Sequence, residues 1–220
     1  MMAETSYQVT DRRPIAARDL GFFQRLAPKL ARAGVSANAI SVAGAVCGIA
    51  AGTSLFLTRL VPQPEVRALW LAGAAFVQLR LVANLLDGMV AISSGKASAV
   101  GELFNELPDR ISDPATLAGL GYAAGAIPAL GWIAAILALI TAYVRTFGKS
   151  VGAGSDFSGP MAKQQRMFVV TLLCLFCACV PQSWQEWRPS LIALILIILG
   201  TALTACRRVA HIAKTLKGAA

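Results

Sequence analysis

Charge is scarce in this chain of 220 residues: 14% are charged against 56% hydrophobic, and the mean hydropathy is +0.64. That balance excludes an ordinary soluble domain and points to a membrane. Histidine is almost missing, and His211 stands alone in a basic C-terminal segment where solvation is the expected role. Of the five cysteines, Cys177 and Cys179 are separated by a single residue, with no second such pair and no suitable histidine partner. A thiolate metal site is therefore excluded, and the cysteines, which fall in or beside apolar runs, read as small hydrophobes. Aromatics make up 7% and do not interleave with the bases, so the net charge of +9 is not a nucleic-acid footprint. Anionic headgroups and phosphate-bearing substrates suit those bases better. The opening "MMAETSYQVTDRRP" has no apolar core ahead of its charges, so no cleavable leader is expected.

What the chain does have is apolar length. A crossing of roughly 30 Å of hydrocarbon needs about 20 residues, and six runs are expected to span, near 36–58, 67–93, 109–126, 128–147, 166–184 and 189–206. The third and fourth meet across "GAIPALG", which predicts a tight helical hairpin or a helix that bends without crossing fully. Every Lys and Arg except Arg59, Arg67 and Arg188 falls on one side of this arrangement. That side is cytoplasmic by the positive-inside rule, and both termini lie on it. In "ARDLGFFQRLAPKLARA" (17–33), Leu20, Phe23 and Leu26 recur at helical intervals among bases, which predicts an amphipathic helix lying in the interface. The expectation is an all-α integral membrane protein of six transmembrane helices plus that N-terminal helix. Its parts are a flexible cytoplasmic tail (1–16), the interfacial helix (17–33), a six-helix catalytic unit (34–208) and a basic cytoplasmic tail (209–220).

Polar residues gather in "NLLDGMVAISSGKASAVGELFNELPDRISD", Asn84 to Asp113. Ionisable groups at membrane depth are costly enough to signal function. Asn84 and Asp87 share a helical face near the end of the second span, with Arg80 four residues earlier on that face; Asn105 and Asp109 are four apart at the start of the third. Carboxylate and amide oxygens suit hard cations such as Mg²⁺ or Mn²⁺, above all when substrate phosphates complete the shell. Glu102, Glu106, Asp109 and Asp113 form one stripe if the helix begins early enough, although Pro108 and Pro114 can kink or start a helix.

The spacing resembles the signature of the CDP-alcohol phosphotransferase family, D-x2-D-G-x2-A-R-x8-G-x3-D-x3-D. It falls here on Asn84, Asp87, Gly88, Ala91, Ile92, Gly101, Asn105 and Asp109 with every interval kept. "GVSANAISVAGAVCGIAAG" (34–52) is similar to the family's first span, with Ala37 where a proline is usual; "AYVRTFGKSVG" and "GPMAKQQRMF" resemble its basic cytoplasmic segments. Asn84 and Asn105 replace the first and third aspartates, and Ile92 the arginine.

The resemblance implies transfer of a phosphatidyl or other phosphoalcohol group from a CDP-linked donor, CDP-diacylglycerol in bacterial members, to an acceptor alcohol with release of CMP. It implies a homodimer in a bacterial inner membrane, surrounded by lipid and without nucleic acid. It makes Asp87 and Asp109 catalytic, with Asp109 the candidate base. Asn84, Asp87, Asn105, Asp109 and, as a replacement charge, Glu106 become ligands for one or two Mg²⁺ or Mn²⁺ ions. Gly88, Ala91 and Gly101 would line the nucleotide pocket, and Arg145, Lys163 and Arg166 would meet the acceptor's phosphate or a headgroup. Arg80 would pair with Asp87, or with Arg110 make good the absent arginine.

Two other classes fit part of the pattern. An ion-coupled transporter would use the same four residues for a translocated ion, but the fourth and sixth spans are almost wholly apolar. A degenerate member that binds nucleotide-lipid without turnover is favoured by the two asparagines and opposed by the intact spacing.

Overall fold

The computed structural model describes residues 16–62, 64–95 and 99–218. The expected tail up to residue 15, and Lys96 in the connection after the second span, lie outside the described residues. Seven α-helices follow in order: α1 (Gly21–Arg32), α2 (Ala37–Leu57), α3 (Val66–Ser93), α4 (Ala99–Tyr122), α5 (Pro128–Ser150), α6 (Lys163–Cys179) and α7 (Pro189–Gly218). Short 3-10 turns sit at Ala16–Asp19 and Gln182–Trp187.

The expected amphipathic segment forms α1. Phe23, Leu26 and Leu30 pack with buried Ala27 against Leu86 and Val90 of α3, while Arg25, Lys29 and Arg32 stay exposed. Gly34 turns the chain with φ +78°, and the Ser36 hydroxyl then caps α2 by accepting from the Ala39 N–H (3.1 Å).

By length and composition, four helices can cross a membrane: α2, α3, α5 and α7. Four of the six expected spans are matched on those grounds, and the other two, in α4 and α6, are not. α4 carries Glu106, Asp109, Arg110 and Asp113 in its sequence. α6 has 17 residues, about 25 Å at 1.5 Å per residue, which is short of the usual hydrocarbon thickness.

Three boundaries also differ. α4 begins at Ala99 rather than near 109 and runs through Pro108 and Pro114; packing against a neighbouring helix overrides the loss of two backbone donors. α6 stops at Cys179 rather than 184, because Pro181 cannot continue it. The segment expected as a basic tail continues α7 to Gly218.

The α2–α4 seam dictates how the bundle closes. Gly44, Gly48 and Gly52 recur every fourth residue along α2 and are all buried, Gly44 against Ala83 of α3 and the other two against α4. This small-residue spacing lets two backbones touch. A Cβ on Gly48 would strike Ser112, one on Gly52 the Ala115 carbonyl, and one on Gly119 the Gly52 carbonyl. Thr116 closes the seam with a hydrogen bond from its hydroxyl to Gly48 O (3.0 Å). Gly119→Ala is therefore expected to cost about 1–3 kcal/mol by overpacking, read as a lower thermal midpoint in detergent. Gly88→Ala, whose Cβ meets nothing within 4 Å, should leave the midpoint unchanged or raise it.

Away from this seam the core is apolar. Leu55, Trp70, Val77, Leu117, Leu120, Met167, Val170, Leu194 and Ile197 form one buried cluster, and many of the exposed large side chains, such as Val46, Leu79, Ile136 and Leu199, are aliphatic.

Candidate functional site

The polar residues missing from the core collect at one end of the bundle, where α3 finishes, α4 and α6 begin, and α5 finishes. Two residues of α3, Arg80 and Asn84, face four of α4, Asn105, Asp109, Ser112 and Asp113, while Asp87, further along α3, faces Ser41 of α2. Lys163 and Arg166 enter from the first turn of α6.

Asp109 is the hub. One carboxylate oxygen is ion-paired to Arg80 Nη2 and accepts from Asn84 Nδ2 (3.1 Å); the other accepts from Lys163 Nζ (2.5 Å). Arg80 is 3% exposed and also donates from Nε to Ser112 Oγ (2.6 Å), with Asp113 3.7 Å away. The other side of Asp113 faces Arg166 Nη2 at 3.7 Å, and Arg166 donates from Nη1 to Met161 O (3.0 Å). Asp113 Oδ1 and Arg166 Nε are buried and find no hydrogen-bond partner among the described residues.

Asp87 has a different environment. It is 3% exposed and accepts from Ser41 Oγ (2.7 Å) and from the Gly88 N–H (2.6 Å). Both donors are neutral, and no described cation forms an ion pair with it. Asn84 Nδ2 also lies 3.4 Å from Asn105 Oδ1, so α3 and α4 bring both amides beside Asp109.

Other expected site residues occupy the margin. Gly88, Ala91 and Gly101 are half-buried, with open space beside Gly88. Ile92, in place of the motif arginine, is 46% exposed. Glu106, with a side chain 47% exposed, is engaged by Arg110 and by Arg145 (2.6 Å) rather than by the cluster around Asp109. Arg145 also lies over the Phe157 ring, 5.2 Å from its centroid. The expected Arg80–Asp87 pair does not form. Seven residues apart, they share a helix face, but Arg80 turns to α4 and Asp87 to α2.

Among the described residues, no three His, Cys, Asp or Glu side chains are grouped to hold a metal. The Asp109 carboxylate meets the two amides, and Asp87 lies within electrostatic reach of Asp109; such oxygens suit a hard divalent ion completed by substrate phosphate and fall short of a closed protein cage.

Sequence reasoning did not single out Ser112 or the brace behind α6. In that brace Arg208 of α7 donates to Ser158 O (3.0 Å) and Thr141 O (2.9 Å), and Thr204 Oγ1 accepts from the Met161 N–H (3.0 Å). These contacts fix residues 151–162, just before Lys163. Burial alone would raise the Asp156 carboxyl there; hydrogen bonds from Ser158, with His211 and Arg208 nearby, hold it below the usual carboxylate range. The available signal was the buried Arg208 beside exposed Arg207.

No family model matches the chain. It is 27% identical to the inner membrane protein YnbA of Escherichia coli, over 80% of this chain and 84% of that one. It is 30% identical to the archaetidylinositol phosphate synthase of Aeropyrum pernix, over 56% of this chain and 71% of the relative. Among solved structures, the phosphatidylinositol phosphate synthase of Mycobacterium tuberculosis in complex with manganese and citrate superposes with a TM-score of 0.70 at 21% identity, covering 86% of this chain and 88% of that one. The same synthase with CDP-diacylglycerol bound gives 0.68 over 86% and 92%, also at 21% identity. At that identity, the likeness is one of fold.

Proposed function

Because the chain belongs to the CDP-alcohol phosphotransferase family, we propose that it is a metal-dependent phosphatidyltransferase of phospholipid synthesis. It moves a phosphatidyl group from CDP-diacylglycerol to an acceptor alcohol and releases CMP. The observation that carries this reading is the meeting of Asn84, Asn105 and Asp109 from two helices in a cluster walled by Arg80 and Lys163, with Asp87 one turn beyond Asn84 on α3.

Asp87, with the oxygens of Asn84, Asn105 and Asp109, would hold the divalent ion. Mg²⁺ or Mn²⁺ supplies charge neutralisation for the diphosphate and the departing CMP. Asp109 accepts the proton of the acceptor hydroxyl; the acceptor oxygen bonds to the phosphatidyl phosphorus, and the bond from that phosphorus to the CMP oxygen breaks. Gly88, Ala91 and Gly101 leave room for the nucleotide. Lys163, Arg166 and Arg145 face phosphate groups of donor or acceptor, with Glu106 steering Arg145. We place all of α2–α7 across a bacterial inner membrane, α1 on its cytoplasmic surface, both termini in the cytoplasm and two chains in a homodimer.

The test is release of radiolabelled CMP from CDP-diacylglycerol by purified protein with a panel of alcohols. Chelation with EDTA is expected to stop release, and added Mn²⁺ to restore it. Bound CDP-diacylglycerol with no release for any alcohol would favour the non-catalytic reading suggested by the two asparagines.

A further inference from the structure

We infer that this chain holds one divalent cation, at Asp87, and that Arg80 and Lys163 supply a fixed positive centre where the four-carboxylate signature would support a second ion. The inference rests on the function proposed above and concerns the same site.

Three observations carry it. The first is the donor set: Asn84 and Asn105 keep an oxygen at two signature positions but remove two negative charges. The second is the state of Asp109. Both of its oxygens are gripped by cationic nitrogens, Arg80 Nη2 on one and Lys163 Nζ on the other. Neither cation is loosely placed: Arg80 is 3% exposed and pinned to Ser112, and the Lys163 side chain is 12% exposed. The third is the contrast with Asp87, buried to the same degree as Arg80 but hydrogen-bonded only by neutral donors, Ser41 Oγ and the Gly88 N–H.

A dication is drawn to Asp87, whose carboxylate makes no ion pair with any described cation and feels Lys163 only through space. At Asp109 a second dication would meet a carboxylate already neutralised, two fixed cations at contact distance and the first ion nearby. Repulsion between such charges is weakly screened in a buried site. Arg and Lys nitrogens can instead meet the phosphate oxygens that a second ion would otherwise hold.

The experiment counts Mn²⁺ on the full chain in nanodiscs by electron paramagnetic resonance, with radiolabelled CDP-diacylglycerol binding measured on the same samples. Wild type is expected to hold one Mn²⁺ per chain with a magnetically isolated spectrum. N84D/N105D is expected to hold two, exchange-coupled. Lys163→Met, which frees one Asp109 oxygen without adding an acid, is expected to gain a second, weaker ion. Two coupled ions in wild type, or none in wild type that still binds CDP-diacylglycerol, would overturn the inference and leave the function standing. A count of one in both variants, each still binding CDP-diacylglycerol, would also overturn it. Failure of wild type to bind CDP-diacylglycerol would instead remove the function on which the inference rests. Because the wild-type count decides the stoichiometry alone, misfolding of either variant leaves the test intact.

Discussion

Asp109→Asn is expected to lower CMP release about a thousandfold, within the 10²–10⁴ range for loss of a positioned general base. The substitution keeps the shape of the side chain and one oxygen for Arg80 or Lys163, but removes the group that takes the acceptor proton. Part of the loss will come from Arg80 and Lys163, which lose their shared counter-charge in a buried site. CDP-diacylglycerol binding separates the two contributions. A variant that binds donor with near-normal affinity yet releases no CMP has lost chemistry, and one that loses binding has lost the architecture of the cluster. A variant that keeps more than a tenth of wild-type release would rule out Asp109 as the base.

The largest effect on stability is expected from Arg80→Met. Arg80 links α3 to three residues of α4, Ser112, Asp109 and Asp113, from a position 3% exposed. Methionine fills much of the volume but leaves two carboxylates short of a partner, and breaking a buried pair in this way costs about 3–5 kcal/mol. For a chain of this size that corresponds to roughly 6–20 °C in thermal midpoint. Adding Asp113→Asn should recover part of the loss, because it removes one of the stranded charges; the double-mutant cycle measures the coupling. An unchanged midpoint in Arg80→Met would mean that solvent or Lys163 compensates the acids as well as Arg80 does.

The helices α2, α3 and α5 were legible in the sequence because each is a long apolar run closed by polar or turn residues. The first half of α4 was not. The expected span opened only near 109, and Pro108 and Pro114 could kink or start a helix there, yet the helix begins at Ala99. What engages it lies on other helices: Asn84 of α3 meets Asn105 and Arg145 of α5 meets Glu106, and hydropathy along one segment does not register that. The site shows the same limit. Spacing within α3 placed Arg80, Asn84 and Asp87 on one face, but how that face divides between neighbours depends on helix rotation. Asp87 found Ser41 and Arg80 found Asp109, leaving the expected Arg80–Asp87 pair unmade. The signature spacing pointed to the region without revealing those partners.

The brace from α7 to the segment before Lys163 also bears on biosynthesis. Ser41, which holds Asp87, is among the first residues of the bundle to be made, and Thr204 and Arg208, which fix the approach to Lys163, are among the last. A ribosome releases the chain from one end, so the brace behind the cluster forms only when translation has nearly finished. Truncated products ending before Arg208 would insert helices without assembling the site, and splitting the gene between α5 and α6 would give two fragments, each inert until they meet.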